Sequence, residues 1–111
     1  MEVTTGKLVA QEILSQLGGR QFLVMTGTKN LVCDSKEQSL TMRLTKNKLH
    51  AKWMKIRLNG LDLYDVTFMT ENKSRTAIIT LKEVSNVYGD MLRGLFERET
   101  GLRTSLTHIY N

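Results

Sequence analysis

Proline is absent from the 111 residues of this chain. Its turns therefore have to be built from glycine, asparagine, aspartate and serine, which suit the backbone angles that turns require. No apolar run approaches the ~20 residues of a membrane-spanning helix, and the first residues lack the basic segment and apolar core of a signal peptide. The sequence therefore predicts a globular protein of the cytoplasm that does not associate with membranes.

Cysteine and histidine are scarce. Cys33 is the only cysteine, so the chain has no internal disulfide, which fits a reducing compartment. His50 and His108 are the only histidines and lie far apart in sequence, so the chain lacks the ligands of a structural metal site. We expect no metal and no cofactor.

The motifs of hydrolytic enzymes are also missing. No GxSxG sequence follows a predicted strand. Two pairs of carboxylates are close in sequence, but each has a simpler explanation than catalysis. Asp62 and Asp65 suit a turn and an ion pair, and Glu97 and Glu99 suit the solvated face of a helix. We therefore expect a protein without enzymatic activity.

Two segments show the periodicity of amphipathic helices. In residues 5–17 apolar side chains recur at every fourth position, and Gly18-Gly19 then supplies the positive φ angles that end helices. A second helix is predicted over residues 86–99, and Gly101 follows its end. The apolar stripes are Val9, Ile13 and Leu17 in the first helix and Tyr88, Leu92, Leu95 and Phe96 in the second.

The residues between these helices, about 21–84, are predicted to form a sheet, because apolar side chains there occur in short runs or alternate with polar ones. The predicted strands are Phe22–Met25, Ser39–Leu44, Ala51–Leu58, Leu61–Met69 and Thr76–Val84, whereas Leu31–Lys36 is predicted to be irregular. This order predicts one α+β domain over residues 1–111. Its architecture would be an antiparallel meander sheet of four or five strands, with an N-terminal and a C-terminal helix packed on it.

The dipeptide Asn59-Gly60 is a strong signal for a hairpin. A two-residue loop would pair Met54 with Asp65, an apolar side chain with a charged one. A three-residue loop, with Gly60 in the left-handed conformation as a bulge, would instead bring the apolar side chains of both strands to one face. That face would carry Met54, Ile56, Tyr64, Val66 and Phe68, so the sequence predicts the bulged turn.

Acidic residues are absent between Glu37 and Asp62, and this gap contains the whole net charge of the chain. Six of the sixteen lysines and arginines lie inside it, while the other residues carry ten bases against eleven acids, a net charge of −1. A cluster of like charges disfavours the folded state unless an anion meets it. The gap is therefore the candidate binding surface.

An aromatic ring among cations on a sheet face suits single-stranded nucleic acid, because bases stack on the ring and phosphates meet the cations. The same charges suit an acidic host protein, and the plainest alternative is a solvated sheet face. An oligomer formed through a sheet edge is a further interpretation. The predicted binding residues are Arg43, Lys46, Lys48, Lys52, Trp53, Lys55 and Arg57.

A second, weaker candidate is a loop that contains glycine, threonine, lysine and asparagine: Gly27, Thr28, Lys29 and Asn30. Such loops bind phosphate through backbone N–H groups and a lysine. The spacing of a P-loop is absent, so the alternative is a plain turn.

Four segments between residues 15 and 101 stand out together: Gly18-Gly19 with Phe22, the stretch Met25–Asn30, the run Leu58–Phe68, and Tyr88 with Asp90, Met91 and Leu92. With these segments the chain resembles small uncharacterised proteins of bacteriophages and other bacterial mobile elements. The resemblance implies an accessory protein that works inside a bacterial host. It implies no activity and no catalytic residue, and it does not account for the positive cluster.

Overall fold

The fold consists of two N-terminal helices, a five-stranded sheet and a C-terminal helix. The computed structural model describes residues 2–104, and side chains from Lys7 onward; His108 and the rest of 105–111 lie outside this range. The helices are α1 (Glu2–Leu17), α2 (Gly19–Thr26) and α3 (Leu92–Thr100), and a turn of 3-10 helix, Gly89–Met91, precedes α3. The strands are β1 (Lys29–Asp34), β2 (Ser39–Arg43), β3 (Trp53–Leu58), β4 (Tyr64–Glu71) and β5 (Ile78–Val87).

The five strands form an antiparallel meander in which each strand pairs with the next in sequence. One face of the sheet is covered by the helices, so the predicted α+β architecture is confirmed. The core between the layers contains Leu40, Met42, Met54, Ile56, Val66 and Phe68 from the sheet and Ile13, Leu17, Phe22, Leu92, Leu95 and Phe96 from the helices. None of the helices in the described part of the chain is long and apolar enough to cross a membrane.

The predicted alignment of β3 with β4 is confirmed, but the loop that produces it differs. Ile56 pairs with Val66, so the apolar side chains of both strands share the buried face. The loop spans five residues, 59–63, and its left-handed residue is Asp62, with φ of 61°, rather than Gly60. The Asn59 side chain organises this loop, because its oxygen accepts hydrogen bonds from the N–H groups of Leu61 and Leu63.

Three connections of the sheet follow this same plan. In each, the carbonyl of an asparagine accepts a hydrogen bond from the N–H group three residues later, at 3.0–3.1 Å. That later residue has a positive φ, and the asparagine side chain accepts further N–H bonds from the loop. The pairs are Asn47 with His50, Asn59 with Asp62, and Asn72 with Arg75. A chain without proline thus uses asparagine side chains to shape its turns.

Residues 19–26 form a helix, so the predicted strand over Phe22–Met25 is wrong. Phe22 and Thr26 lie four residues apart on one face of α2, and both are buried. The ring of Phe22 meets the ring of Phe96 in α3 edge to face, with centroids 4.9 Å apart. A short apolar run does not distinguish helix from strand. The packing of Phe22 against Phe96 therefore determines that this segment is helical. The N-terminal part thus has two helices instead of one, and α1 begins at Glu2 rather than at residue 5.

The sheet extends from Lys29 to Val87 rather than from about 21 to 84. Its first strand, β1, occupies most of the segment that the sequence predicted to be irregular. All six residues of β1 are exposed, so no alternation of apolar and polar residues marks this edge strand.

The last helix was predicted over residues 86–99, and this start is wrong. The chain remains in β5 up to Val87, which is buried opposite Tyr64. The α-helix begins only at Leu92, after the 3-10 turn, and it ends before Gly101, as predicted. Of the predicted apolar stripe, Tyr88 is exposed instead of buried, because it precedes the helix.

The Asp65 carboxylate ties three elements of the sheet together. It accepts hydrogen bonds from Asn59 Nδ2 in the β3–β4 loop at 3.0 Å, from the Asn86 N–H in β5 at 3.1 Å and from the Arg57 guanidinium in β3 at 2.9 Å. Partial burial acts to raise the pKa of Asp65, but these hydrogen bonds outweigh burial and leave the pKa below its ordinary value.

Substituting Asp65→Asn is expected to lower the free energy of unfolding by about 1–3 kcal/mol at neutral pH, since hydrogen bonds to a charged group are lost. Because the folded-state pKa is lowered, this contribution is present above the ordinary pKa of ~3.9 and is lost as pH falls through the folded-state value. Urea unfolding of both proteins at neutral pH and near pH 3 would measure the difference. A difference in stability that stays the same at both pH values would contradict this role of the charge.

Candidate functional site

The meander brings alternate connections to the same end of the sheet, because neighbouring strands run in opposite directions. The β2–β3 connection, residues 44–52, and the β4–β5 connection, residues 72–77, therefore lie at one end, together with the start of β1. The β1–β2 connection, residues 35–38, and the β3–β4 connection, residues 59–63, lie at the other end.

Charge is divided unequally between these two ends. We call the end with the β2–β3 and β4–β5 connections the basic end. Among the described residues in the strand termini and connections at this end, Glu71 is the one acidic residue. Its bases are Lys29, Arg43, Lys46, Lys48, His50, Lys52, Lys73 and Arg75. The opposite end has four acids, Asp34, Glu37, Asp62 and Asp65, against Lys36 and Arg57. The sheet is thus positive at one end and negative at the other.

Two of the predicted binding residues do not belong to the basic end. Lys55 forms an ion pair with Glu37, and Arg57 forms one with Asp65 at 2.9 Å. These acids come from outside the basic stretch of sequence. They neutralise the middle of the sheet face that the helices do not cover, which we call the helix-free face. Glu83 adds a further negative charge beside them.

Lys52 is at the basic end but also has an acidic partner. Its Nζ lies 2.7 Å from Glu71 Oε1, and the Arg75 guanidinium lies 3.7 Å from the same oxygen. The hydrogen bond from Lys52 is the main reason why the pKa of Glu71 is below its ordinary value. Glu71 therefore remains charged at neutral pH and offsets part of the positive charge nearby.

Five cations of the basic end form no ion pair with any described residue: Lys29, Arg43, Lys46, Lys48 and Lys73. All except Arg43 are exposed. Unpaired cations gathered at one end of a domain attract an anionic partner, because their potentials add.

Two of these cations, Arg43 and Lys46, line a cleft of about 260 Å³. None of the described residues that line it is acidic, and its charged or ionisable lining consists of Arg43, Lys46, His50 and Lys52. A cleft of this size is smaller than the ~300–1,000 Å³ of pockets that enclose whole ligands. It therefore suits a single anionic group of a larger molecule.

The loop that forms the cleft is held rigidly by Asn47, whose side chain is buried. Asn47 Nδ2 donates to the carbonyls of Thr45 and Ala51, at 2.8 and 2.7 Å, and Oδ1 accepts from the N–H groups of Leu49 and Ala51. The four hydrogen bonds fix the backbone from which the cations project. The cleft is thus formed before any ligand arrives.

Two further hydrogen bonds attach this loop to the helices. The Lys48 N–H donates to the carbonyl of Thr100, the last residue of α3, at 2.9 Å. The Thr45 hydroxyl donates to the carbonyl of Thr26, the last residue of α2, at 2.7 Å. The loop therefore satisfies carbonyl groups at two helix C-termini, where a nearby lysine such as Lys48 is also electrostatically favourable.

Arg43 connects the cleft to the helix-free face of the sheet. It pairs with Trp53 across β2 and β3, and its guanidinium carbon lies over the indole ring, 5.5 Å from the centroid. Both side chains are half-buried. This cation–π contact helps to hold the guanidinium in place without a direct ion pair, although the charge of Arg43 reaches Glu71 and contributes to the lowered pKa of that carboxylate.

The second predicted site, residues 27–30, lies next to the basic end, but most of its groups are already engaged. The Gly27 N–H donates to the carbonyl of Leu23, and the Thr28 N–H donates to the Thr26 hydroxyl. Gly27 also approaches Thr45 so closely that an added Cβ would lie 2.8 Å from a methyl carbon. These contacts leave Asn30 and Lys29, which pairs with Arg43 across β1 and β2, as the residues of this loop that remain able to contact an anion.

Sequence reasoning missed Lys73 and Arg75, which lie thirty residues away from the start of the basic stretch at Arg43. The signal that points to them is the meander itself, because its β2–β3 and β4–β5 turns must share an end. Residues 7–104 contain no group of three or more histidine, cysteine, aspartate or glutamate side chains placed to hold a metal ion.

Substituting Glu71→Gln is expected to strengthen anion binding at the basic end, because it removes the acid of that end and releases Lys52. One additional phosphate contact corresponds to an affinity about 5-fold higher at ~0.1 M salt, with the slope of log affinity against log salt steeper by ~0.7. Fluorescence anisotropy of a labelled oligonucleotide would measure both. Glu83→Gln removes the same charge in the middle of the sheet and serves as the control; equal effects of the two substitutions would contradict a local role.

The chain matches no protein-family model, no curated protein and no solved structure.

Proposed function

We propose that this protein binds single-stranded nucleic acid through the basic end of its sheet, as a non-enzymatic accessory protein of a bacteriophage or other mobile element. The observation that carries the proposal is the group of five cations without an ion pair at one end of the sheet, two of which, Arg43 and Lys46, line a preformed cleft that has no acidic residue among its described lining. The setting rests on the resemblance of the sequence to small phage proteins.

Three features support nucleic acid as the partner. The cations lie on two strands and two connections at one end of the sheet, which suits a chain of phosphates better than a single small anion. The cleft would hold one phosphate group. The other cations of the basic end would contact neighbouring phosphates along the nucleic-acid strand. Trp53 and Arg43 add planar groups beside these cations, a combination typical of proteins that bind single strands.

The test is fluorescence anisotropy of labelled single-stranded and duplex DNA and RNA, titrated with the protein at several salt concentrations. About three to five phosphate contacts predict a slope of log affinity against log salt between about −2 and −4 for single strands. If none of the four probes binds at low salt, the proposal is refuted. Binding to polyglutamate with equal affinity would instead favour an acidic host protein as the partner.

A second candidate function is that of an oligomeric structural subunit. It is favoured by the edge of the sheet that β5 forms. The edge strand β5 exposes Ile78, Ile79 and Leu81, which are 59%, 42% and 39% exposed. Long apolar edge strands pair readily with further strands. Sedimentation analysis over a range of protein concentrations would reveal such assembly, and a mass that stays monomeric throughout would exclude it.

A further inference from the structure

Arg43 occupies a position that is common to two different surfaces of the basic end. On one side its guanidinium lies over the Trp53 ring, and on the other Arg43 lines the cleft with Lys46, His50 and Lys52. Among the described residues no carboxylate forms an ion pair with Arg43. The flat guanidinium is thus positioned by an aromatic ring and remains available to a second planar group.

A nucleotide has the two groups that this arrangement accommodates. Unpaired bases stack on aromatic rings and on the planes of arginine guanidinium groups. The phosphate attached to such a base lies within a few bonds of it, and the acid-free cleft begins at the same arginine. A paired base in a duplex does not expose its face in this way.

We propose that the basic end holds one unpaired nucleotide, with its base stacked on the Arg43–Trp53 pair and its phosphate in the cleft between Lys46, His50 and Lys52. The inference rests on the proposed function and adds to it a requirement for the base. Binding then depends on stacking as well as on charge, and a backbone without bases is a poorer ligand.

The substitution Arg43→Lys tests this arrangement, because lysine keeps the positive charge but has no planar group. The wild-type protein and the variant are titrated with an oligothymidylate and with an abasic oligonucleotide of the same length and phosphate number. We expect the wild-type protein to prefer the base-bearing strand by about 5- to 150-fold, the range for one stacked base. Arg43→Lys should reduce this preference to less than about 3-fold while the salt dependence is retained.

Trp53 is the only tryptophan of the chain, so its emission reports on the site directly. In the wild-type protein, quenching is expected with oligothymidylate and not with the abasic strand. Equal affinity for the two strands, or an unchanged preference in Arg43→Lys, would overturn the stacking arrangement while leaving nucleic-acid binding intact. Failure of both strands to bind at low salt would overturn the proposed function itself.

Discussion

Replacing Arg43 and Lys46 together with glutamate is expected to weaken binding of single-stranded nucleic acid by at least ~25-fold at ~0.1 M salt. Each lost phosphate contact removes about 0.7 from the slope of log affinity against log salt for a single strand, so two contacts lower it by ~1.4. The introduced carboxylates add repulsion to this loss. Anisotropy titrations at several salt concentrations would measure both effects.

The matched control is the double substitution of Lys36 and Arg20 with glutamate. Both side chains are exposed, neither forms an ion pair with a described residue, and Lys36 lies at the opposite end of the sheet. The change in net charge is the same in both double variants. If the two lose affinity equally, the whole charge of the protein governs binding, and the basic end is not the site.

The substitution Asn47→Ala is expected to lower the free energy of unfolding by about 2–4 kcal/mol. This is the largest loss of stability that we predict for a single substitution in this protein. Asn47 is 7% exposed, and its side chain forms four hydrogen bonds within the β2–β3 connection. Alanine would leave the buried carbonyl and N–H of Ala51 without these partners. Urea unfolding monitored by Trp53 emission would measure the loss.

Asn72→Ala provides the comparison, because Asn72 shapes the β4–β5 turn by the same plan but through hydrogen bonds that are exposed to solvent. There water replaces the lost partners, so we expect a loss of only about 0.5–1.5 kcal/mol. If Asn47→Ala destabilised the protein no more than Asn72→Ala, burial of the loop would not explain its rigidity. Asn47→Ala should also weaken nucleic-acid binding, since the cations lose their fixed backbone.

The register of the central strands was predictable because it depends on a strict rule. Side chains alternate between the two faces of a strand, so only an even sum of paired residue numbers brings Ile56 and Val66 to the same face. The length of the loop was not predictable from Asn59-Gly60 alone. The Asn59 side chain closes a larger loop than the dipeptide suggests, and Asp62 takes the left-handed position.

Two of the incorrect element assignments share a cause. The run Phe22–Met25 is too short for its period to be recognised, and its helical form depends on the contact of Phe22 with Phe96, seventy-four residues later. β1 is exposed on both faces, so its sequence carries no alternation, and only its hydrogen bonds to β2 define it as a strand. In both cases the deciding interaction is with another element, so the sequence of the segment itself does not reveal it.

The α+β architecture, the buried face of the sheet and the position of the positive charge along the chain are predictable from the amino-acid order, because they follow from local periodicity and composition. Which of those charges remain without an ion pair depends on the folded arrangement of the strands. Glu37, Asp65 and Glu71 come from other strands or turns to meet Lys55, Arg57 and Lys52. The physical reason is that ion pairs depend on distance in space, and an antiparallel sheet brings together residues that the sequence keeps far apart.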